Sequence, residues 1–149
     1  RLPVTGVSCD DAEAYAAWLR RGAVPGARLC SEREWERAAR GADGRVYPHG
    51  DRLQPGDANF DRTYGKDPLS FGPDEVGAHP ASRSPVGADD LAGNAMEWVR
   101  AALPGRPCVA RGGAYYYGEP TSRSDNRTEL APGLRDPTLG LRICADAPP

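Results

Sequence analysis

The stretch Asp89-Asp90-Leu91-Ala92-Gly93-Asn94-Ala95-Met96-Glu97-Trp98 decides how this chain is read. Gly93-Asn94 is a turn signal, and the residues from Glu97 to Arg100 have the composition of a short strand. Two carboxylates, Asp90 and Glu97, bracket the turn. Hard cations are held by carboxylate oxygens together with backbone carbonyls. A tight turn between two acids therefore reads either as a cation-binding loop or as a surface turn leading into a strand, and spacing leaves both open.

Downstream, Cys108–Arg111 and Gly140–Cys144 read as two more short strands, and Ala145–Pro149 reads as a fraying tail. The first runs into Gly112-Gly113-Ala114 and then Tyr115-Tyr116-Tyr117. Three consecutive tyrosines cannot share one face of a strand. At least one is expected at a cleft or the surface, where a rigid apolar ring with a polar tip suits recognition. Core and edge packing is the alternative. Asn126-Arg127-Thr128 matches the glycosylation triplet, a pattern common by chance.

Upstream, from about 42 to 90, Gly, Pro, Asp and Ser punctuate the chain without sustained periodicity. A long irregular stretch in a small domain is usually functional or held by ions. Asp57-Ala58-Asn59-Phe60-Asp61 begins like an EF-hand loop, but Arg62 and Pro68 stand where glycine and glutamate are needed. An Asx-rich turn is the simpler reading. His49 and His79 both lie in Pro/Gly turns and read as structural.

Two helices are predicted before that stretch. One follows Ser8 as N-cap, with Asp10 and Asp11 in the first turn and Ala12, Tyr15, Ala16 and Leu19 forming one stripe. The other opens with a capping box, Ser31 and Glu34, turns Trp35, Ala38 and Ala39 inward, and stops at Gly41.

The composition fits such a loop-rich domain. In 149 residues there are 18 Gly and 15 Pro, well above the usual share, and few large aliphatics. Lys plus Arg (19) nearly balance Asp plus Glu (21), for a net charge of −2. That balance argues against a nucleic-acid partner or a polybasic membrane anchor. No apolar run is long enough to span a bilayer. The four cysteines form no CxxC pair, which argues against structural zinc and leaves disulfides or buried thiols open.

Taken in order, these segments resemble the formylglycine-generating enzyme family, the sulfatase-modifying-factor domains. The resemblance runs through Pro3–Ser8, Asp11–Tyr15, Arg28–Glu36, Ala38–Gly41, Tyr47–Asp51, Ala58–Phe60, Leu91–Val99, Arg111–Gly113, Arg127 and Gly140–Arg142. It implies an α+β fold of the C-type-lectin-like formylglycine-generating-enzyme kind, loop-rich, with two helices and short strands. It also implies that residues 1–149 are one domain lacking the family's N-terminal portion, joined to other domains in a larger protein.

Calcium follows from the resemblance as a structural cofactor. One site would use the side chains of Asp90 and Glu97 with the carbonyls of Gly93 and Ala95. A second would use Asn59 and the carbonyl of Phe60, with Asp67 as a further candidate. The departures concern the chemistry. Catalytic members bind copper(I) through a cysteine pair shortly after Arg-Gly-Gly, and residues 114–127 here contain no cysteine. Copper is therefore not expected. Ala114 replaces a family serine, Met96 an aromatic, Cys9 a tryptophan and Cys30 a proline. Pairing of Cys30 with Cys144, or of Cys9 with Cys30, is open.

The expectation is a non-catalytic ligand-binding or sensory module, with a face made by Tyr115, Tyr116, Tyr117, Glu119, Ser122 and Asn126. The partner would be a protein or a small molecule. Several segments resemble versions appended to bacterial Ser/Thr protein kinases, which favours an extracytoplasmic position. One alternative is a copper- and dioxygen-dependent thiol-oxidising enzyme that recruits Cys108 or Cys144. Another is a C-type-lectin-like receptor diversified by a diversity-generating element.

Overall fold

Two capping boxes launch the two helices. The structure, a computed structural model, describes residues 1–65 and 67–146. In α1 (Cys9–Arg21) the Ser8 hydroxyl accepts from the Asp11 amide while the Asp11 carboxylate accepts from the Ser8 amide. After β1 (Ala27–Leu29), α2 (Glu32–Arg40) repeats the device with Ser31 and Glu34, and Gly41 caps its end. Each box satisfies amides that the first helical turn leaves without partners.

The stripe predicted for α1 is narrower than expected. Cys9, Ala12 and Ala16 are buried against β1, Leu19 is half-buried, and Tyr15 is exposed and stacks on Trp18. Small residues on the buried face let the helix approach the strand closely, which leaves the ring of Tyr15 outside.

A three-stranded sheet carries β2 (Met96–Arg100) at its centre, antiparallel to β3 (Cys108–Arg111) and parallel to β4 (Leu139–Leu141). The run Gly140–Cys144, expected as one strand, is divided. β4 joins β2, whereas β5 (Ile143–Ala145) pairs antiparallel with β1 in a second, two-stranded sheet. Arg142 stands between them with its guanidinium on Glu97 of β2, and there the chain passes from one sheet to the other. Ala145, expected in a loose tail, is paired with Ala27. The expected fraying of residues 147–149 lies outside the described residues.

Both disulfides join distant segments. Cys9 pairs with Cys108 and Cys30 with Cys144, with sequence separations of 99 and 114. The second pairing is one of those left open. A Cys9–Cys30 bridge is excluded, because the α1–β3 contact takes Cys9. Around the bridges, Trp98, Leu139 and Met96 form one core cluster, and Trp35, Leu91, Val99 and Val109 form another. With few aliphatics available, the disulfides and indole rings fill that role.

The irregular stretch from about 42 to 90 has its own anchor. Tyr47, Leu53, Ala58, Phe60 and Ala92 form a third buried cluster beneath it. His79 is buried there, with Nδ1 2.9 Å from the Gly56 carbonyl and Nε2 2.7 Å from Asp74, a structural role as expected. Among the described residues, no helix is long and apolar enough to cross a membrane.

Candidate functional site

The acidic turn is wedged into the fold by its glycine. Gly93 has φ +71°, and a Cβ there would lie 2.2 Å from the Asn59 carbonyl oxygen. The Gly93 amide donates to Gly112 O and the Asn94 amide to Asn59 O, both at 2.7 Å. Asp90 and Asn94 also adopt left-handed backbones, which non-glycine residues rarely do without local support. Each carries that support in its side chain. Asp90 Oδ2 accepts from the Gly77 amide and Asn94 Oδ1 from the Asp74 amide, both at 2.8 Å.

Asp90, Ala95 and Glu97 open onto a cavity of 510 Å³ between the N-terminal segment, α1 and β4. As a donor set they suit a hard cation in type. Glu97, however, already has partners. Its Oε2 accepts from Trp35 Nε1 and Arg142 Nε, both at 2.6 Å, and the Arg142 guanidinium neutralises its charge. Asp90 is the carboxylate in this turn with an oxygen that accepts no hydrogen bond among the described residues. Asn59 and Phe60, expected at a second site, sit beneath the turn. Asn59 Nδ2 donates to Gly72 O, and the Phe60 carbonyl accepts from the Thr63 amide. Asp67 closes a short turn with Leu69 and Ser70.

The tyrosine face is set by a second close approach. Gly113 has φ +71°, and a Cβ there would meet Ser122 Oγ at 2.6 Å and its backbone nitrogen and Cα at 2.9 Å. Ser122 is therefore fully buried behind Gly113 and is not on the face expected of it. Tyr115, Tyr116 and Tyr117 follow in a turn. Tyr116 is 58% exposed, whereas Tyr117 packs against the core. Phe71, reaching over from the irregular stretch, stands edge-on to Tyr115 at 5.2 Å and to Tyr116 at 5.8 Å. Tyr116 stands edge-on to Tyr117 at 5.3 Å. Such perpendicular pairs are the favoured geometry for rings.

The borders of the face are pinned. Glu119 Oε1 accepts from the Tyr47 hydroxyl at 3.0 Å. Burial, then Glu119, pushes that phenol up to about 12. Asn126 donates through Nδ2 to Thr121 O at 3.1 Å, closing the short helical turn Glu119–Ser122. Beside Tyr117, a cavity of 130 Å³ opens towards Met96, Leu130 and Asp136. Burial raises the phenol pKa of Tyr115, and the charges of Asp136 and Tyr117 add to it.

Beneath this face Arg111, 1% exposed, donates to Glu32 and Glu36 and to the Ser124 carbonyl and lies 5.1 Å from the Trp35 ring. It fixes the Arg111–Gly113 turn from below, and a buried charge of this kind is tolerated only with such partners.

Residues 1–147 match the family described as the sulfatase-modifying factor enzyme 1-like domain. The chain belongs to this family. Among curated relatives, it is 35% identical over 166 residues to the mouse (Mus musculus) protein named inactive C-alpha-formylglycine-generating enzyme 2, covering 98% of this chain and 50% of that protein. It is 32% identical over 164 residues to the serine/threonine-protein kinase Pkn1 of Chlamydia trachomatis, covering 97% of this chain and 24% of that one. The chain thus spans half or less of the length of these relatives. Among solved structures, PvdO of Pseudomonas aeruginosa superimposes with a TM-score of 0.80 at 27% identity, covering 96% of this chain and 61% of that one. The α+β, loop-rich fold of the formylglycine-generating enzymes is therefore the fold of this chain.

Within this sulfatase-modifying-factor domain, all four cysteines are in disulfides. Cys108 and Cys144, considered above as copper ligands, have no free thiolate. Among the described residues, one group of three metal-ligating side chains comes together, Cys9, Glu13 and Cys108, and the Cys9–Cys108 bridge occupies it. Sequence reasoning missed Phe71, Tyr47 and Asp136. Phe71 and Tyr47 lie in stretches without periodicity and Asp136 in a Pro-flanked loop, so only the fold brings them to the face.

Proposed function

We propose that this domain is a non-catalytic ligand-binding or sensory module on the formylglycine-generating-enzyme scaffold, working as one part of a larger protein. One observation carries the reading. The four cysteines are consumed in two disulfides, and the segment after Arg111-Gly112-Gly113 presents Tyr115, Tyr116 and Tyr117 without a thiol. Copper(I) requires soft ligands, and a disulfide offers none of comparable strength. The exposed aromatic cluster takes over the face as a recognition surface.

The similarity to a longer Ser/Thr kinase supports attachment to other domains, and we assign the parent protein to the kinase-appended kind. Two disulfides support an oxidising, extracytoplasmic compartment. We assign calcium a structural role at the acidic turn, with Asp90 and the turn carbonyls of Gly93 and Ala95 as its ligands. Glu97 would have to share its carboxylate with Arg142.

The test is a copper(I) titration of the domain, with disulfides intact and after reduction, against a competing chelator. No binding to the oxidised domain is expected, and no oxidation of a thiol peptide in air. Tight one-to-one binding with peptide oxidation would overturn the module in favour of the thiol-oxidising enzyme.

A further inference from the structure

The 130 Å³ cavity beside Tyr117 combines apolar walls with hydroxyl- and carboxylate-bearing residues. Met96, Leu130 and Leu134 line its walls together with the oxygen-bearing residues Thr121, Thr128 and Asp136. Asp136 Oδ1 accepts from the Thr138 amide at 2.8 Å and from the Thr138 hydroxyl at 2.6 Å. Its Oδ2 accepts no hydrogen bond among the described residues. The Thr121 hydroxyl donates its proton to Gly118 O at 2.8 Å, so lone pairs remain to accept. Among the described residues, no Lys, Arg or His lines the cavity. Arg135, the neighbouring cation in sequence, turns away to Asp11 of α1 at 2.8 and 2.9 Å. A carboxylate that pairs with no cation among the described residues thus lines a largely apolar cavity that the Tyr117 ring also lines.

We propose that this cavity binds a primary alkylammonium group, carried either by a free alkylamine or by a lysine side chain. The inference rests on the ligand-binding reading above and names its ligand class. An ammonium group has three donors and no acceptor, matching Asp136 Oδ2 and the two threonine hydroxyls. Its methylenes cover Met96, Leu130 and Leu134 while the head stays polar. The Tyr117 ring adds attraction for the charge. An anion meets Asp136 unfavourably. A purely apolar group would dehydrate a carboxylate without pairing it. A fully methylated ammonium has no proton for the hydroxyls. The volume suits one side chain, since pockets for whole drug-sized ligands run from about 300 Å³ upward.

The experiment titrates the oxidised 149-residue chain with four probes, followed by amide NMR and calorimetry. The probes are n-butylammonium, Nα-acetyl-lysine N-methylamide, its norleucine counterpart and choline. The lysine derivative is expected to shift Thr121, Thr128, Leu130 and Asp136, with the neutral norleucine analogue weaker by about tenfold or more, as for hydrogen bonds to charged groups. Asp136→Asn keeps the oxygen that holds Thr138 and is expected to weaken binding about tenfold with an unchanged melting temperature. Thr128→Val is a second variant, away from that cap, expected to act in the same direction. Equal binding of butylammonium and the lysine derivative points to a free amine, and selective binding of the derivative points to a side chain. The proposal is overturned if norleucine binds as tightly as lysine, if choline binds more tightly than butylammonium, or if no amine shifts these residues. The copper titration stands apart from this result. A silent amine titration with no copper binding removes the ammonium proposal alone, whereas tight copper binding with peptide oxidation removes the module reading.

Discussion

Trp35 Nε1 donates to Glu97 Oε2 at 2.6 Å, joining α2 to the central strand beneath the acidic turn. The indole is 1% exposed and the carboxylate residue 7% exposed. The bond therefore forms away from water, and loss of the indole donor leaves Glu97 Oε2 with Arg142 Nε alone. Arg142 completes the arrangement from between the two sheets, so one carboxylate ties together a helix, a strand and the crossing point of the chain. Trp35→Phe keeps an aromatic body and removes the donor. It is expected to lower unfolding free energy by about 1–3 kcal/mol, the usual penalty for a buried acceptor left short. Urea denaturation measures it, and a change within error would mean that water or Arg142 replaces the indole.

The disulfides span 99 and 114 residues, and long loops restrict the unfolded chain most. Replacing Cys30 and Cys144 together by alanine is expected to cost about 2–5 kcal/mol, measured by urea denaturation. The same change at Cys9 and Cys108 also empties part of the core around Trp98 and is expected to cost at least as much.

Gly93 offers a sharper test of the turn. Gly93→Ala places a methyl group against the Asn59 backbone, which cannot move without displacing the loop that Asn94 also holds. Loss of the folded state is expected, read as collapse of the near-ultraviolet dichroism. Gly113→Ala meets Ser122 instead. Its expected effect is about 1–3 kcal/mol of strain and a displaced tyrosine loop. Amide NMR of Tyr115–Tyr117 would show that displacement.

Calcium at Asp90 has a thermodynamic signature. A ligand that binds only the folded state stabilises it by about 2.7 kcal/mol at a concentration one hundred times its dissociation constant. The melting temperature is expected to rise in calcium relative to EDTA, and Asp90→Asn is expected to abolish the difference. Identical melting curves for the unmodified domain, with no bound metal by elemental analysis, would remove the assignment.

How far the sequence could be read depended on whether a signal was local. Ser8 with Asp11 and Ser31 with Glu34 announce both helices because a capping box is complete within four residues. The order of short motifs around Arg111-Gly112-Gly113 and Gly93-Asn94 is equally local and suffices for the family. β1 was missed because three residues carry no periodicity, and their pairing with Ala145 is made across the whole chain. Tyr15 was misplaced because a heptad-like stripe does not reveal how closely the helix approaches β1. Ser122 was assigned to the surface because only the packing against Gly113 buries it. Asp136 was invisible for the same reason, since its neighbours at the cavity come from β2 and from the segments around Tyr117 and Thr128.

Alkaline pH tests the border of the tyrosine face at the Tyr47–Glu119 bond. Tyr47 is 4% exposed and donates to Glu119, so its neutral phenol is favoured over phenolate in the fold. Burial and then Glu119 raise its pKa from 10.0 to about 12. A folded pKa above the unfolded one means that this stabilisation is fully present below about pH 10 and is lost as pH rises through about 12. At 1.36 kcal/mol for each unit, ionising this phenol costs about 3 kcal/mol more in the fold than in the unfolded chain, with burial the larger cause and Glu119 the next. Titration of tyrosine absorbance is expected to show one late phenol that ionises only near pH 12 or on unfolding. Tyr47→Phe should remove that late step, flatten the alkaline loss of stability and release Glu119. A wild-type profile in which every tyrosine ionises near its ordinary value while the domain stays folded would show that the Tyr47–Glu119 bond does not hold the neutral phenol.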